Sequence, residues 1–243
     1  MPPRFYVDLA LAGQTELNLP PGAARHVQVL RLQPGSALTL FDGSGFEWQA
    51  EVKTMGRSEV TVHLQSQQLV QRELANAVTL AVVMPANDRM DGIVEKATEL
   101  GAASVQPLMS ERSVLRLNGE RAEKKQAHWQ GVAVAAAEQS GRCKVTRIAP
   151  VQTLAAWLAS LPEPTADQRR WLLSPMAAEP LSRLNSQAAD QTLVLSGPEG
   201  GLSLAEEAAA RAKGFVAAQL GPRILRADTA PLAVLGWLAL SER

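Results

Sequence analysis

The chain has 243 residues and a mass of 26.0 kDa, with 46% hydrophobic and 20% charged residues. Those values exclude a disordered chain and fit one large domain or two smaller ones. Basic and acidic side chains number 24 each, so composition alone gives no support for a polyanionic partner.

The opening stretch, Met1 to Gly13, carries Asp8 within its apolar residues and does not read as a signal peptide. The single cysteine, Cys143, excludes an internal disulfide framework and a multi-cysteine zinc site, and it suits a reducing compartment. A cytoplasmic protein is expected. Pro20-Pro21-Gly22 opens a short helical stretch with Val27, Leu30 and Arg31. Leu38 to Phe41 reads as a strand, followed by an Asp42-Gly43-Ser44-Gly45 hairpin connection. Phe46, Trp48, Ala50 and Val52 alternate with Glu47, Gln49, Glu51 and Lys53, which predicts one buried and one wet strand face. Val60, Val62 and Leu64 alternate in the same way. A small barrel of short strands is expected over residues 1–70, with the polar stretch Gln65 to Gln71 as a linker.

Beyond the linker the pattern becomes strand-then-helix. Val78–Met84 and Ser104–Leu108 read as strands around a helix from Asp88 to Leu100, whose Met90, Ile93, Val94 and Ala97 share one face. Gly101 stops that helix, and Asn118 caps a long one running to about Gly141. Further strands are predicted at Val145–Ala149, Trp171–Ser174, Thr192–Ser196 and Phe215–Leu220. Ser203 and Glu206 form a capping box at the next helix, and Asp228-Thr229-Ala230-Pro231 begins the last. That last helix is apolar nearly all round, which predicts burial. The longest apolar run, Ala230 to Leu240, falls well short of the roughly 20 residues needed to cross a bilayer. Alternation of this kind predicts an α/β fold with a mostly parallel sheet.

Dinucleotide fingerprint and P-loop are both missing, and no serine sits in a G-x-S-x-G elbow. His26, His63 and His128 lie far apart without ligand spacing, so no metal is expected. Two Gly-Pro loops remain. Gly197-Pro198-Glu199-Gly200-Gly201 follows the strand ending at Ser196, and Gly221-Pro222 follows the strand ending at Leu220. Consecutive strand ends are where open α/β sheets bind ligands, so a pocket is expected between these loops.

The ordered segments of the chain are recognisable together. They are Arg4-Phe5-Tyr6-Val7, His26 to Arg31 with Pro34-Gly35, Glu95 to Gly101, Pro107 with Ser110 to Ser113, Ala136 to Arg142, Gly197 to Gly201 and Leu220 to Arg226. In these segments the chain resembles the small-subunit ribosomal RNA uridine-N3 methyltransferase family, within the knotted SPOUT superfamily. Two departures stand out. Asp228 takes the place of the family's usual Glu, and Gly141 to Thr146 lacks an expected proline.

The resemblance implies a PUA-like RNA-binding barrel over 1–70 and a methyltransferase domain with a trefoil knot over 71–243. It implies S-adenosylmethionine as methyl donor, a homodimer covering the apolar last helix, and 16S ribosomal RNA or the small ribosomal subunit as partner. The cofactor residues it points to are Leu173, Ser196, Gly197, Pro198, Glu199, Gly200, Gly201, Leu220, Gly221, Ile224 and Leu225. Gly200→Val is expected to block close approach of the cofactor. Arg25, Arg31, Arg112 and Arg142 are RNA contacts on this reading; for Arg25 and Arg31 plain solvation of the first domain is the alternative. Lys96 and Glu99 read as surface partners. For the chemistry, Arg226 is the cation beside the uracil oxygens, with a salt bridge to Asp228 or Glu199 as its other reading. The proton acceptor is either Asp228 or Glu138.

Overall fold

The computed structural model describes residues 2–86, 89–184 and 189–241. Contacts divide the chain into two units, Met1–Glu73 with Ala137–Val145, and Leu74–Ala136 with Thr146–Arg243.

In the first unit, β1 (Arg4–Tyr6), β2 (Glu16–Asn18), β3 (Ala37–Phe41), β4 (Phe46–Met55) and β5 (Val60–Leu69) form one sheet in the order β1-β3-β4-β5-β2. The β1–β3 pairing is parallel and the others are antiparallel. Phe5, Leu38, Leu40, Val52, Val60 and Val62 are fully buried in its core. Helix α1 (Pro21–Val29) adds Ala23, Ala24 and Val27 to that core. Its chain reverses at Arg31, which holds a left-handed φ of 55°. Non-glycine residues adopt that region uncommonly, and here it closes the helix end.

Two expectations fail here. The polar stretch from Gln65 is not a linker: Gln67 and Gln68 pair with Trp48 and Glu47 as part of β5. Backbone pairing, not side-chain hydrophobicity, holds that edge. Glu47 does not lie on a wet face either, being only 5% exposed. It is ion-paired with Arg4 and accepts from Gln68 Nε2 at 2.6 Å.

Residues 137–145 complete this unit. Tyr6 N donates to Glu138 Oε1 at 2.9 Å, and Arg4 Nη2 donates to the carbonyls of Gly141 at 3.2 Å and Arg142 at 3.1 Å. Ala137 and Cys143 pack with Phe41 in a small buried cluster.

The second unit alternates strands and helices: β6 (Ala77–Val83), α2 (Arg89–Glu99), β7 (Ser104–Met109), α3 (Gly119–Ser140), β8 (Arg147–Ile148), β9 (Gln152–Thr153), α4 (Leu154–Ser160), β10 (Gln168–Leu173), α5 (Leu181–Leu184), β11 (Gln191–Ser196), α6 (Leu204–Ala212), β12 (Val216–Ala218) and α7 (Thr229–Ser241). The last turn of α3, from Ala137, falls in the first unit. Strand order is β12-β10-β11-β6-β7-β8, with β9 also on β7, and every pairing is parallel. Central β6 and β11 are buried on both faces, as continuous apolar runs in parallel sheets require.

The expected start of α2 at Asp88 lies outside the described residues. The strand expected over Val145–Ala149 is cut to Arg147–Ile148; Thr146 is buried and donates its hydroxyl to Ala102 O at 2.7 Å. Helix α4, capped by Thr153, was not anticipated. The capping box of α6 forms as read, with Ser203 Oγ accepting from Glu206 N and Glu206 Oε2 from Ser203 N. On α7, Val234, Leu235 and Leu238 are buried while Leu240 is 88% exposed.

Candidate active site

Three neighbouring parallel strands, β10, β11 and β12, end at one side of the second unit's sheet. Their carboxyl ends and the loops beyond enclose a cavity of about 430 Å³. A pocket at this edge follows from the architecture, because the loops diverge there and leave backbone groups facing an opening.

Each strand end contributes. From β10 come Leu173, Ser174 and Pro175; from β11 come Ser196, Gly197, Pro198, Glu199, Gly201 and Leu202; from β12 come Ala218, Leu220, Gly221, Arg223, Ile224, Leu225 and Arg226. Arg89, Glu207, Ala227 and Ala230 finish the lining. Two glycines are dictated by this geometry. A Cβ on Gly197 would stand 3.2 Å from Leu202 N, and Gly221 holds a φ of 91°, where a side chain is strained. Ser196 is 2% exposed, and its hydroxyl lacks a hydrogen-bond partner among the described residues. An unpaired polar atom buried in a pocket wall is costly unless a ligand satisfies it.

The lining is polar at two points. Glu199 accepts from Arg89 Nη1 at 3.4 Å and from Ala86 N. Glu207 Oε1 accepts from Ser174 Oγ at 3.2 Å, while its other oxygen lies 3.5 Å from Arg211. Arg89, Arg223 and Arg226 set three cations against these two carboxylates, so the lining carries positive excess although the chain has none. Arg226 has no ion-pair partner among the described residues, and the expected alternative bridge to Asp228 or Glu199 is not formed. Asp228 sits at the head of α7 and accepts from Thr229 Oγ1 at 3.2 Å. It does not line the cavity.

Of the residues expected to hold a ligand, Leu173, Ser196, Gly197, Pro198, Glu199, Gly201, Leu220, Gly221, Ile224 and Leu225 all line the pocket. Gly200 does not: its α-carbon faces the stem of Arg112, and an added Cβ would make ordinary contact at 3.7 Å. Glu138 belongs to the first unit, where burial pushes its carboxyl up against the lowering effects of the Tyr6 amide and of His26 and Arg4. Arg142 is 3% exposed and held by Glu73, so its guanidinium is not available to an RNA phosphate. Arg112 is bonded to the glycine-rich loop through Gly200 O at 2.8 Å. Arg25 and Arg31 are exposed on the first unit. Lys96 bridges Glu95 and Glu99 on the surface of α2, as expected.

Among the lining residues that the sequence did not reveal are Ser174, Glu207 and Arg89. They come from a strand end, a helix face and a helix start that carry no glycine signal. Among the described residues no group of three His, Cys, Asp or Glu side chains is placed to hold a metal, and no helix is long and apolar enough to cross a membrane.

A family profile described as an RNA methyltransferase domain matches residues 72–239, and one described as an RNA methyltransferase PUA domain matches 19–65. The chain belongs to this RNA methyltransferase family. A ribosomal RNA small subunit methyltransferase E from Synechocystis is 36% identical over 86% of this chain and 67% of its own length. The protein of the same name from Bacillus subtilis is 32% identical over 86% of this chain and 83% of its own. Among solved structures, a ribosomal RNA small subunit methyltransferase E from Neisseria gonorrhoeae bound to S-adenosylmethionine superposes with a TM-score of 0.89 at 32% identity, covering 99% of this chain and 98% of that one. A putative methyltransferase from Legionella pneumophila in complex with the same cofactor gives 0.91 at 29% identity, with the same coverage.

Proposed function

We propose that the chain transfers a methyl group from S-adenosylmethionine to N3 of a uridine in 16S ribosomal RNA of the small subunit. The observation that carries this reading is the strand-end pocket, with its glycine backbone and the unpaired, buried Ser196 hydroxyl. The residues present fit the cofactor. Backbone groups of Gly197 to Glu199, of Gly201 and of Leu220 to Gly221 would hold it, Ser196 would gain its missing partner, and Leu220, Ile224 and Leu225 would cover the adenine. Bound there, S-adenosylmethionine supplies an electrophilic methyl group.

The rest falls to the chain's own residues. N3 of uridine is an imide N–H between two carbonyls, so its proton must leave before the nitrogen can attack. Charge then spreads onto the carbonyl oxygens, where a fixed cation stabilises it. Arg226, on the pocket wall and without a carboxylate partner among the described residues, is the cation of this reading. Asp228, two residues on, is the nearer candidate for the proton acceptor although it lies outside the cavity lining; the alternative, Glu138, has its Oε1 engaged by the Tyr6 amide in the other unit.

The N-terminal unit is the RNA-binding PUA-like part, with exposed Arg25 and Arg31 as phosphate contacts. The reading also includes the trefoil knot, the domain division at residues 70 and 71, a cytoplasmic location, and a homodimer that covers the exposed part of α7. Mass spectrometry of digested ribosomal RNA from a strain lacking the protein tests the proposal. Loss of one N3-methyluridine, restored by this chain, is the expected result. Loss of a ribose methyl instead would identify a 2′-O-methyltransferase, and an unchanged set of marks would leave an RNA-binding protein that acts by occupancy.

A further inference from the structure

We infer that Arg112 is a positioning residue that pre-forms the cofactor loop, not an RNA contact. The inference rests on the strand-end pocket being the S-adenosylmethionine site.

The segment that follows β7 is a built turn. Ser113 Oγ accepts from Ser110 N at 2.8 Å, Ser113 N donates back to Ser110 O at 3.2 Å, and both serines are buried. This turn fixes the two residues between them. Glu111 N donates to Glu206 Oε1 at 2.8 Å, and Arg112 Nη1 donates to Gly200 O at 2.8 Å and to Leu202 O at 3.4 Å. Arg116 Nη2 adds a bond to Glu111 O at 3.0 Å, which steadies the turn from its far side. Glu206 is at the same time the capping-box residue whose other oxygen takes Ser203 N at 2.9 Å. A single turn thus tethers Gly200, Leu202 and the start of α6.

Gly197, Gly200 and Gly201 give this loop more conformational freedom than any other residue type would. Among the described residues, one backbone bond closes it from within, Gly201 N to Pro198 O at 2.8 Å. Gly197, Pro198, Glu199 and Gly201 line the cavity, whereas Gly200 and Arg112 do not. Arg112 therefore acts on the loop through Gly200, without itself lining the pocket. If a loop is competent for only a fraction of the time, apparent affinity falls by that fraction. Arg112 raises the fraction, because its Nη1, although the residue is exposed, is engaged by the Gly200 and Leu202 carbonyls.

The test is calorimetric titration of the full chain with S-adenosylmethionine, alongside binding to a small-subunit ribosomal RNA transcript over a range of salt. Arg112→Ala is expected to weaken cofactor binding about tenfold, the scale of one charge-assisted hydrogen bond. Its RNA affinity and salt slope should match wild type, and Arg112→Lys, which keeps a donor, should recover most of the cofactor affinity. Wild-type cofactor affinity in Arg112→Ala overturns the inference. So does a loss of RNA affinity with the salt slope reduced by about one, the signature of a phosphate contact. If Arg112→Ala is unfolded by circular dichroism, Arg112→Met decides between the same outcomes, because it keeps the apolar stem and loses only the donors. A wild-type chain that fails to bind S-adenosylmethionine overturns the pocket assignment itself, and this inference with it.

Discussion

Arg142 Nε lies 3.1 Å from Glu73 Oε2, with Arg142 buried in the first unit and Glu73 only partly so. Removing Arg142 leaves a partly solvated Glu73 without its counterion, at a cost below the about 3–5 kcal/mol of a fully buried pair. Arg142→Ala should therefore lower the denaturant midpoint by a corresponding amount. RNA affinity, measured where the variant is still folded, should stay at the wild-type value. A stable variant with weakened RNA binding would restore the reading of Arg142 as an RNA contact.

Glu47 makes stability of the first unit depend on acid. Burial pushes its carboxyl up, but the hydrogen bonds from Arg4 and Gln68, with the charges of Arg4 and Arg72, outweigh burial and hold it below the usual carboxylate range. A depressed folded-state value means the stabilisation is present above the unfolded value, about 4.3 for Glu, and is lost as pH falls through the folded one. Melting temperature should drop as pH is lowered below about 4, and Glu47→Gln should flatten that drop while melting lower at neutral pH. Equal acid sensitivity in the variant would assign the effect to other carboxylates.

The two loop glycines that flank Pro198-Glu199 should respond differently to a methyl group. On Gly197 it would press against Leu202 N at 3.2 Å and Gly201 C at 3.3 Å, both backbone atoms. Overpacking of this kind costs about 1–3 kcal/mol. On Gly200 the nearest atoms are side-chain carbons of Arg112 at 3.7 and 3.8 Å, an ordinary contact. Gly197→Ala should weaken S-adenosylmethionine binding by calorimetry and Gly200→Ala should leave it close to wild type. The reverse order would mean the loop rearranges on binding.

Arg226→Ala is expected to cut turnover by about 10²–10³, the usual scale for one preorganised charge stabiliser, with cofactor affinity nearly unchanged. Asp228→Asn should lower turnover and flatten its rise with pH, since an amide cannot accept the N3 proton. Single-turnover assays on the ribosomal RNA substrate separate these effects from binding. Near-normal turnover in Arg226→Ala would remove it from the chemistry.

Local patterns in the sequence carried a good part of this. Period-two alternation located β4 and β5, the Ser203–Glu206 spacing located the cap of α6, and the glycine loops located the pocket. What escaped was set by partners distant in the chain. Glu47 looked solvent-facing because its counterion is Arg4, on a strand separated from it by β3. Gln65 to Leu69 looked like linker because that strand's pairing with β4 uses backbone groups that composition does not report. Arg142 and Arg112 read as RNA ligands through the family resemblance alone, while Glu73 and Gly200 O, which hold them, lie 69 and 88 positions away.

The placement of residues 137–145 with the N-terminal unit has a consequence for the order of events during synthesis. When residue 73 has emerged, Phe41 still lacks Ala137 and Cys143, and Arg4 lacks the carbonyls of Gly141 and Arg142. Residues 74–136 must be translated first, a delay of about 3–13 s at roughly 5–20 residues per second. For that interval the nascent N-terminal unit presents an uncovered apolar seam and an incompletely bonded guanidinium. The first part of the chain to be made thus stays incomplete until residue 145 has been added.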